Sequence, residues 1–173
     1  MKKDCNKHLQ KINEETIKLF FLYAEKDFPY KEEIEQHLKL TLEENNVVIE
    51  ETKVGENNEL LLRYQDADII MVLVSSDLVS NETLLDVAEL AAHHHAQSLK
   101  MMIPVLCRRI FGEISTNFPK INLPSGGPIA NYQDKDQAYQ EVALYVTTII
   151  KWLRTHLENI YLKSLLKKQI TNE

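Results

Sequence analysis

The stretch Asp68-Ile69-Ile70-Met71-Val72-Leu73-Val74-Ser75-Ser76-Asp77 decides the fold class of this chain. Its six apolar residues run without a break and stop at two serines and an aspartate. A run this short and continuous is typical of a strand that is buried on both faces in a parallel sheet. The polar residues at 75–77 are then expected at the sheet edge where α/β proteins place their ligands.

The composition describes one globular domain of ordinary size. The 173 residues are 44% hydrophobic and 27% charged. No apolar run reaches the roughly 20 residues that span a bilayer, and no apolar signal region follows the N-terminal lysines. Only two cysteines occur, Cys5 and Cys107, which favours a reducing compartment. We therefore expect a cytoplasmic protein that does not bind membranes, and the net charge of −6 argues against a surface for nucleic acid.

Strand and helix patterns alternate on both sides of the central stretch. Strands are predicted at 17–23, 47–49, 69–74, 101–106 and 128–130, and helices at 27–42, 60–66, 82–95 and 137–168. This alternation predicts an α/β fold, a flavodoxin-like three-layer sandwich with a five-stranded parallel sheet in the order 2-1-3-4-5 and helices on both faces. Asp27 is predicted to cap the first helix. Pro104 has no N–H for the ladder, so its strand is predicted to lie at an edge or to carry a bulge.

The ends of the chain differ from its middle. Residues 1–16 are mostly polar and are interpreted as a lead-in to a domain at 17–150, and residues 151–173 as a C-terminal helical extension. Along that extension, apolar residues recur at three- and four-residue spacing. Such a stripe predicts an interface with a partner protein, the alternative being that the lead-in folds back and covers it. The stripe consists of Ile150, Leu153, Leu157 and Ile160.

Four segments resemble a known family, in the same order along the chain. Phe21–Asp27 resembles the family's F-I-S-Y-A-x-K-D, and Ala67–Asp77 resembles its A-D-I-I-L-L-L-S-P-D. Met102–Leu106 resembles I-I-P-V-L, and Leu123–Ala138 resembles L-P…G-K-P-I…D-x-D-x-A. Together the segments make residues 17–150 similar to a TIR domain (Toll/interleukin-1 receptor type), of the bacterial kind.

The resemblance implies a set of functional residues. TIR enzymes that cleave NAD use a glutamate on the helix after the central strand, and Glu89 is the best match here. Counted from Asp77, the family's position falls one residue earlier, on Ala88, and Glu82 is the fallback. The ends of the first and third strands are expected to bind the NAD substrate, and no resident cofactor or metal is expected. These binding residues are Tyr23, Ala24, Glu25, Ser75 and Ser76.

Two functions of different classes follow from the resemblance. In the first, self-assembled copies cleave the nicotinamide–ribose bond of NAD, and the Glu89 carboxylate stabilises the positive charge that develops on the ribose. In the second, the chain is a non-enzymatic adaptor that binds other TIR domains. Both imply self-association through the loop that contains Gly55, which matches a characteristic glycine of the family.

Other candidate sites are weaker. One metal ion cannot easily use all of His93, His94 and His95, because consecutive helical residues point in different directions. Ser75 and Ser76 lack a paired base in the sequence, and Cys107 is interpreted as a packed thiol. An alternative reading compares Glu25 and Asp27 with the acidic pair of response-regulator receivers, with Asp77 as phosphoacceptor. That reading lacks the lysine that receivers carry after the fifth strand.

Overall fold

The computed structural model describes residues 16–50, 57–111, 118–120 and 123–170, with side chains omitted at 57–58 and beyond 156. It confirms an α/β architecture in which strands and helices alternate. The strands are β1 (Ile17–Leu22), β2 (Val47–Glu50), β3 (Ile69–Val74) and β4 (Met101–Leu106). The helices are α1 (Phe28–Glu44), α2 (Asn57–Asp66), α3 (Ser76–Val79), α4 (Glu82–Ala96) and α5 (Lys135–Ile170), with 3₁₀ turns at Glu25–Asp27 and Ile129–Asn131.

The strands form a parallel sheet in the order β2-β1-β3-β4. β3 lies between β1 and β4, with Ile69 opposite both Leu19 and Met101. All six residues of β3 are buried, as its continuous apolar run predicts. Because successive side chains alternate between the faces of the sheet, β1 and β3 supply two separate cores. One core packs against α1 and α5, and the other packs against α2 and α4.

A fifth strand at 128–130 is not formed, and this correction concerns the edge beside β4. Ile129–Asn131 is a 3₁₀ turn, and Pro128, which has no N–H to give to a ladder, precedes it. Among the described residues, single backbone bonds connect this side to β4 and the residue after it: Leu106 N–H donates to Leu123 O at 2.8 Å, and Ala130 N–H donates to Cys107 O at 2.9 Å. Within the described ranges the sheet therefore has four strands.

β4 is the last strand in that order, as Pro104 predicts. The N–H groups at alternate positions along its outer edge are satisfied or missing. Met102 N–H donates to His95 Nδ1 at 3.2 Å, Pro104 has no N–H, and Leu106 N–H donates to Leu123 O. An edge without free donors is a poor template for pairing with another strand.

The final helix extends past residue 150, the predicted end of the domain. α5 runs from Lys135 to Ile170, which confirms the predicted helix at 137–168. Its Ile150 is fully buried and Leu153 packs against the same core, so the prediction that the exposed stripe begins at Ile150 is wrong. Arg154 is also buried and donates to the carbonyl oxygens of Asn45 and Asn46.

The remaining predictions for the two ends of the chain are not tested. Residues 1–15, which make up nearly all of the lead-in, and the side chains of Leu157 and Ile160 lie outside the described residues. No helix within the described ranges combines the length and the apolar content that crossing a bilayer requires.

Candidate functional site at the carboxyl edge of the sheet

Asp27, Ser75 and Arg108 come together where β1, β3 and β4 end. Asp27 is fully buried, and its carboxylate accepts hydrogen bonds from Ser75 Oγ and from Arg108 Nε at 2.9 Å and Nη2 at 2.7 Å. Removing a charge from water is costly unless it is paired and hydrogen-bonded, and here it is both. We call these residues, together with Asp77 and Lys26, the strand-end cluster.

The predicted capping role of Asp27 is wrong. Asp27 stands at the N-cap position of α1, but its side chain makes no capping hydrogen bond. The carboxylate turns instead toward Ser75 and Arg108 on the neighbouring strands. A guanidinium offers several charge-assisted donors in one plane, and it outcompetes a single backbone N–H for a buried carboxylate.

Asp77 extends the cluster toward solvent. Its carboxylate contacts Lys26 Nζ at 2.7 Å and Arg108 Nη2 at 2.7 Å, and about a quarter of its side chain is exposed. The hydrogen bond from Lys26 and, after it, that from Arg108 lower the pKa of Asp77 below its ordinary value. Arg108 therefore bridges a buried carboxylate and a partly exposed one.

Ser75 has its hydrogen-bonding capacity committed within the domain. Its hydroxyl donates to Asp27 and accepts from Leu78 N–H at 3.2 Å, which caps α3. A serine whose proton is held by a buried carboxylate of its own domain serves to orient chain segments. The reading of Ser75 as a polar residue that lines the edge is the one that fits these bonds.

The residues predicted to bind NAD are divided between surface and interior. Ala24 and Ser75 are buried, Tyr23 and Ser76 are half-buried, and Glu25 is exposed. Tyr23 and Glu25 line one cleft of 530 Å³, whose other walls are Lys26, Phe28 and Pro29. Their predicted role in NAD binding stays a prediction.

Glu89 lies on the solvent side of α4. The exposed positions of this helix recur at alternating spacings of four and three residues, which is one helical stripe. Ala88, one residue earlier, is fully buried against the core. Glu89 is thus an exposed carboxylate in the middle of this stripe, and its catalytic role stays a prediction. The stripe consists of Glu82, Asp86, Glu89, His93 and Ala96.

The histidine run and Cys107 have structural contacts. His94 Nδ1 is hydrogen-bonded to the buried Tyr64 hydroxyl, and His95 accepts from the backbone of β4. Among the described residues, no three His, Cys, Asp or Glu side chains gather as a metal site. Cys107 is fully buried, and burial raises its pKa well above the ordinary value, which agrees with the reading as a packed thiol.

Arg108 is the site residue that sequence reasoning missed. It lies two residues after the end of β4 and beside Arg109, in an irregular stretch where no sequence pattern distinguishes it. The available signal was Asp27, an acidic residue between two apolar segments that needs a cationic partner if it is buried. Gly55 and its loop lie outside the described residues, so the predicted association loop is not tested.

No protein-family model matches the chain, and no curated protein matches it. Among solved structures, the chain is similar to the TIR domains in the structure of the activated Roq1 resistosome directly recognizing the pathogen effector XopQ. The alignment covers 86% of this chain and 99% of that chain, with 11% identity and a TM-score of 0.39.

Proposed function

We propose that this chain is a TIR-type domain of a signalling or defence system, and that it acts by associating with other TIR domains. The sequence resemblance supports the family, and the parallel order β2-β1-β3-β4 is compatible with it. The three segments that carry most of the resemblance meet in the strand-end cluster: Asp27 ends the first, Ser75 and Asp77 end the second, and Arg108 follows the third.

The hydrogen bonds and ion pairs within the strand-end cluster favour association over catalysis as the function. Asp27 and Ser75 are both fully buried and bonded to each other, and Arg108 bridges the two aspartates. Because Asp27 and Ser75 are already paired inside the domain, they stabilise the fold and are not free to act on a substrate. The cluster thus fixes the loops at the strand ends as a rigid platform, which favours a binding role.

The position of Glu89 favours the same choice. An exposed carboxylate attracts a unit charge 4 Å away by about 1 kcal/mol in water, which corresponds to roughly a fivefold change in rate. Enzymes accelerate their reactions by about a millionfold or more. NAD cleavage by Glu89 would therefore require a neighbouring copy to cover the exposed stripe of α4 and exclude water from it.

Two regions are proposed to take part in association. The first is the Gly55 loop, on the strength of the resemblance. The second is the outer face of α5, where Leu144, Tyr145 and Trp152 are exposed by 71%, 48% and 51%. Large apolar side chains that cluster on an exposed helix face are typical of an interface, and the partner predicted for the C-terminal helix is proposed to bind here.

The test combines light scattering with an assay for nicotinamide release, on the full chain at high concentration with and without NAD. We expect the mass of the wild-type particle to rise with concentration and no nicotinamide to be released. The double variant Leu144→Ser, Trp152→Ser should associate about tenfold more weakly. Lys151→Ser, which removes a charged side chain from the same exposed helix segment, is the matched control. Nicotinamide release that Glu89→Gln abolishes and Asp86→Asn leaves intact would establish the enzyme instead. A monomer at every concentration would overturn the proposal.

A further inference from the structure

A cleft of 640 Å³ lies beside the strand-end cluster, between the first turns of α1 and α5. Its volume falls within the roughly 300–1,000 Å³ of small-molecule sites. It shares Lys26 and Pro29 with the cleft at Tyr23 but has different walls. We call it the tyrosine cleft, and it is lined by Lys26, Pro29, Tyr30, Glu33, Arg108, Lys135, Asp136 and Tyr139.

Tyr139 gives the cleft an unused hydrogen-bond donor. The residue is only 5% exposed, and its ring lies 5.4 Å from that of His37. Its hydroxyl has no hydrogen-bond partner among the described residues, where every fully buried side-chain N or O atom has one, so this hydroxyl opens into the cleft. Burial, and then the neighbouring Glu33 carboxylate, raise the pKa of Tyr139 to about 12, which keeps the phenol protonated.

The cationic wall of the cleft comes from two different elements. Arg108 uses Nε and Nη2 for the two aspartates, and its Nη1 has no partner among the described residues. More than a quarter of its side chain is exposed. Lys135 is exposed at the first residue of α5, where the positive end of the helix dipole adds to its charge. These groups are suited to a phosphate.

The opposite wall carries carboxylates. Glu33 is half-buried on α1, and Asp136 is exposed in the first turn of α5. These acceptors would repel a bare anion that filled the cleft, and they suit hydroxyl groups that donate hydrogen bonds. A ligand that satisfies both walls therefore carries a phosphate at one end and hydroxyls at the other.

We propose that the tyrosine cleft binds a phosphate monoester of a sugar, with the phosphate on Arg108, Lys135 and the Tyr139 hydroxyl. The sugar hydroxyls then face Glu33 and Asp136. A nucleoside monophosphate and a free sugar phosphate share this chemistry. The proposal does not depend on association between TIR domains, because every lining residue belongs to one copy of the chain.

The experiment is isothermal titration of the full chain with ribose 5-phosphate, adenosine 5′-monophosphate, inorganic phosphate and ribose. Tyr139→Phe removes the hydroxyl and keeps the buried ring, and Lys135→Gln removes a surface charge, so both variants are expected to fold. Each should raise the Kd for ribose 5-phosphate about tenfold, the value of one hydrogen bond or ion pair to a charged ligand. The matched controls on the same helix, Tyr145→Phe and Lys151→Gln, should change the Kd by less than about twofold.

Several outcomes decide the proposal. Tighter binding of the nucleotide than of ribose 5-phosphate supports it and identifies a nucleotide as the ligand, and equal binding supports it and identifies a sugar phosphate. Absence of binding by both phosphate esters at about 10 mM, far weaker than the affinities of functional small-molecule sites, would overturn it. Equal losses in the control variants would overturn it as well, and so would inorganic phosphate or ribose alone binding as tightly as ribose 5-phosphate.

Discussion

The two ends of the sheet are each tied by an arginine, but the two arginines have different partners. At the carboxyl end, Arg108 pairs with the carboxylates of Asp27 and Asp77. At the amino end, the buried Arg154 donates to the carbonyl oxygens of Asn45 and Asn46, just beyond the last turn of α1. The contacts of Arg108 are ion pairs, whereas those of Arg154 to Asn45 and Asn46 are hydrogen bonds to uncharged backbone oxygens.

The difference matters because ion pairs and hydrogen bonds to backbone oxygens respond differently to acid and to substitution. In a buried ion pair, loss of one member leaves the other charged, desolvated and unpaired. A cation at the C-terminal end of a helix interacts with fixed backbone dipoles, which do not titrate and are never absent. Acid and the loss of a single partner are therefore expected to disturb the carboxyl end, where the candidate site lies.

The largest expected effect comes from Asp27. Asp27→Ala removes the fully buried carboxylate and leaves Arg108 with Asp77 alone. We expect the free energy of unfolding to fall by about 3 kcal/mol, the lower end of the range for breaking a buried pair, because Arg108 is partly exposed. Urea denaturation measures this, and Glu25→Ala in the same turn is the exposed control. Equal losses of unfolding free energy for the two variants would show that the Asp27–Arg108 pair stabilises the fold no more than an exposed glutamate does.

A smaller effect is expected at the amino end. Arg154→Met keeps much of the aliphatic length and removes the donors to Asn45 and Asn46. The free energy of unfolding should fall by about 2 kcal/mol, as for a lost hydrogen bond to a charged group. Lys151→Met, at an exposed position of the same helix, controls for the loss of positive charge. If the two methionine variants unfold at the same urea concentration, the Arg154 contact does not stabilise α5 on α1.

Local pattern was enough for most of the fold. The continuous run at Ile69–Val74 and the three- and four-residue spacing in α5 depend on neighbours in sequence, so β3 and α5 could be predicted. The segment at 128–130 could not, because a few apolar residues after a proline fit a short strand and a 3₁₀ turn equally well. Its one backbone bond to this side of the sheet, from Ala130 N–H to Cys107 O just beyond β4, links residues far apart in sequence and has no local signal.

The site was less predictable because its partners are far apart in sequence. Arg108 and Asp27 are separated by 81 residues, and no spacing rule links them. An aspartate two residues before a proline also has a local explanation, as a helix cap, and that explanation concealed its long-range contact. Glu89 shows the limit of counting on a helix, since one residue corresponds to about 100° of rotation, here the difference between core and solvent.

The smallest expected effect is a pH dependence at the carboxyl end. Lys26, and then Arg108, lower the pKa of Asp77 below its ordinary value of 3.8. A depressed folded pKa means that the carboxylate stabilises the protein above the unfolded value, and that this stabilisation is lost as the pH falls through the folded pKa.

Wild type should therefore exceed Asp77→Asn in unfolding free energy by a constant amount above about pH 5, and the difference should shrink toward zero well below pH 4. High salt should reduce it, because about a quarter of the Asp77 side chain and most of Lys26 are exposed. The carbonyl oxygens of Asn45 and Asn46 do not titrate, so the bonds that Arg154 makes to them add no pH dependence of their own. An Asp77→Asn difference that persists undiminished at pH 2 would place the contribution of Asp77 in packing and not in its charge.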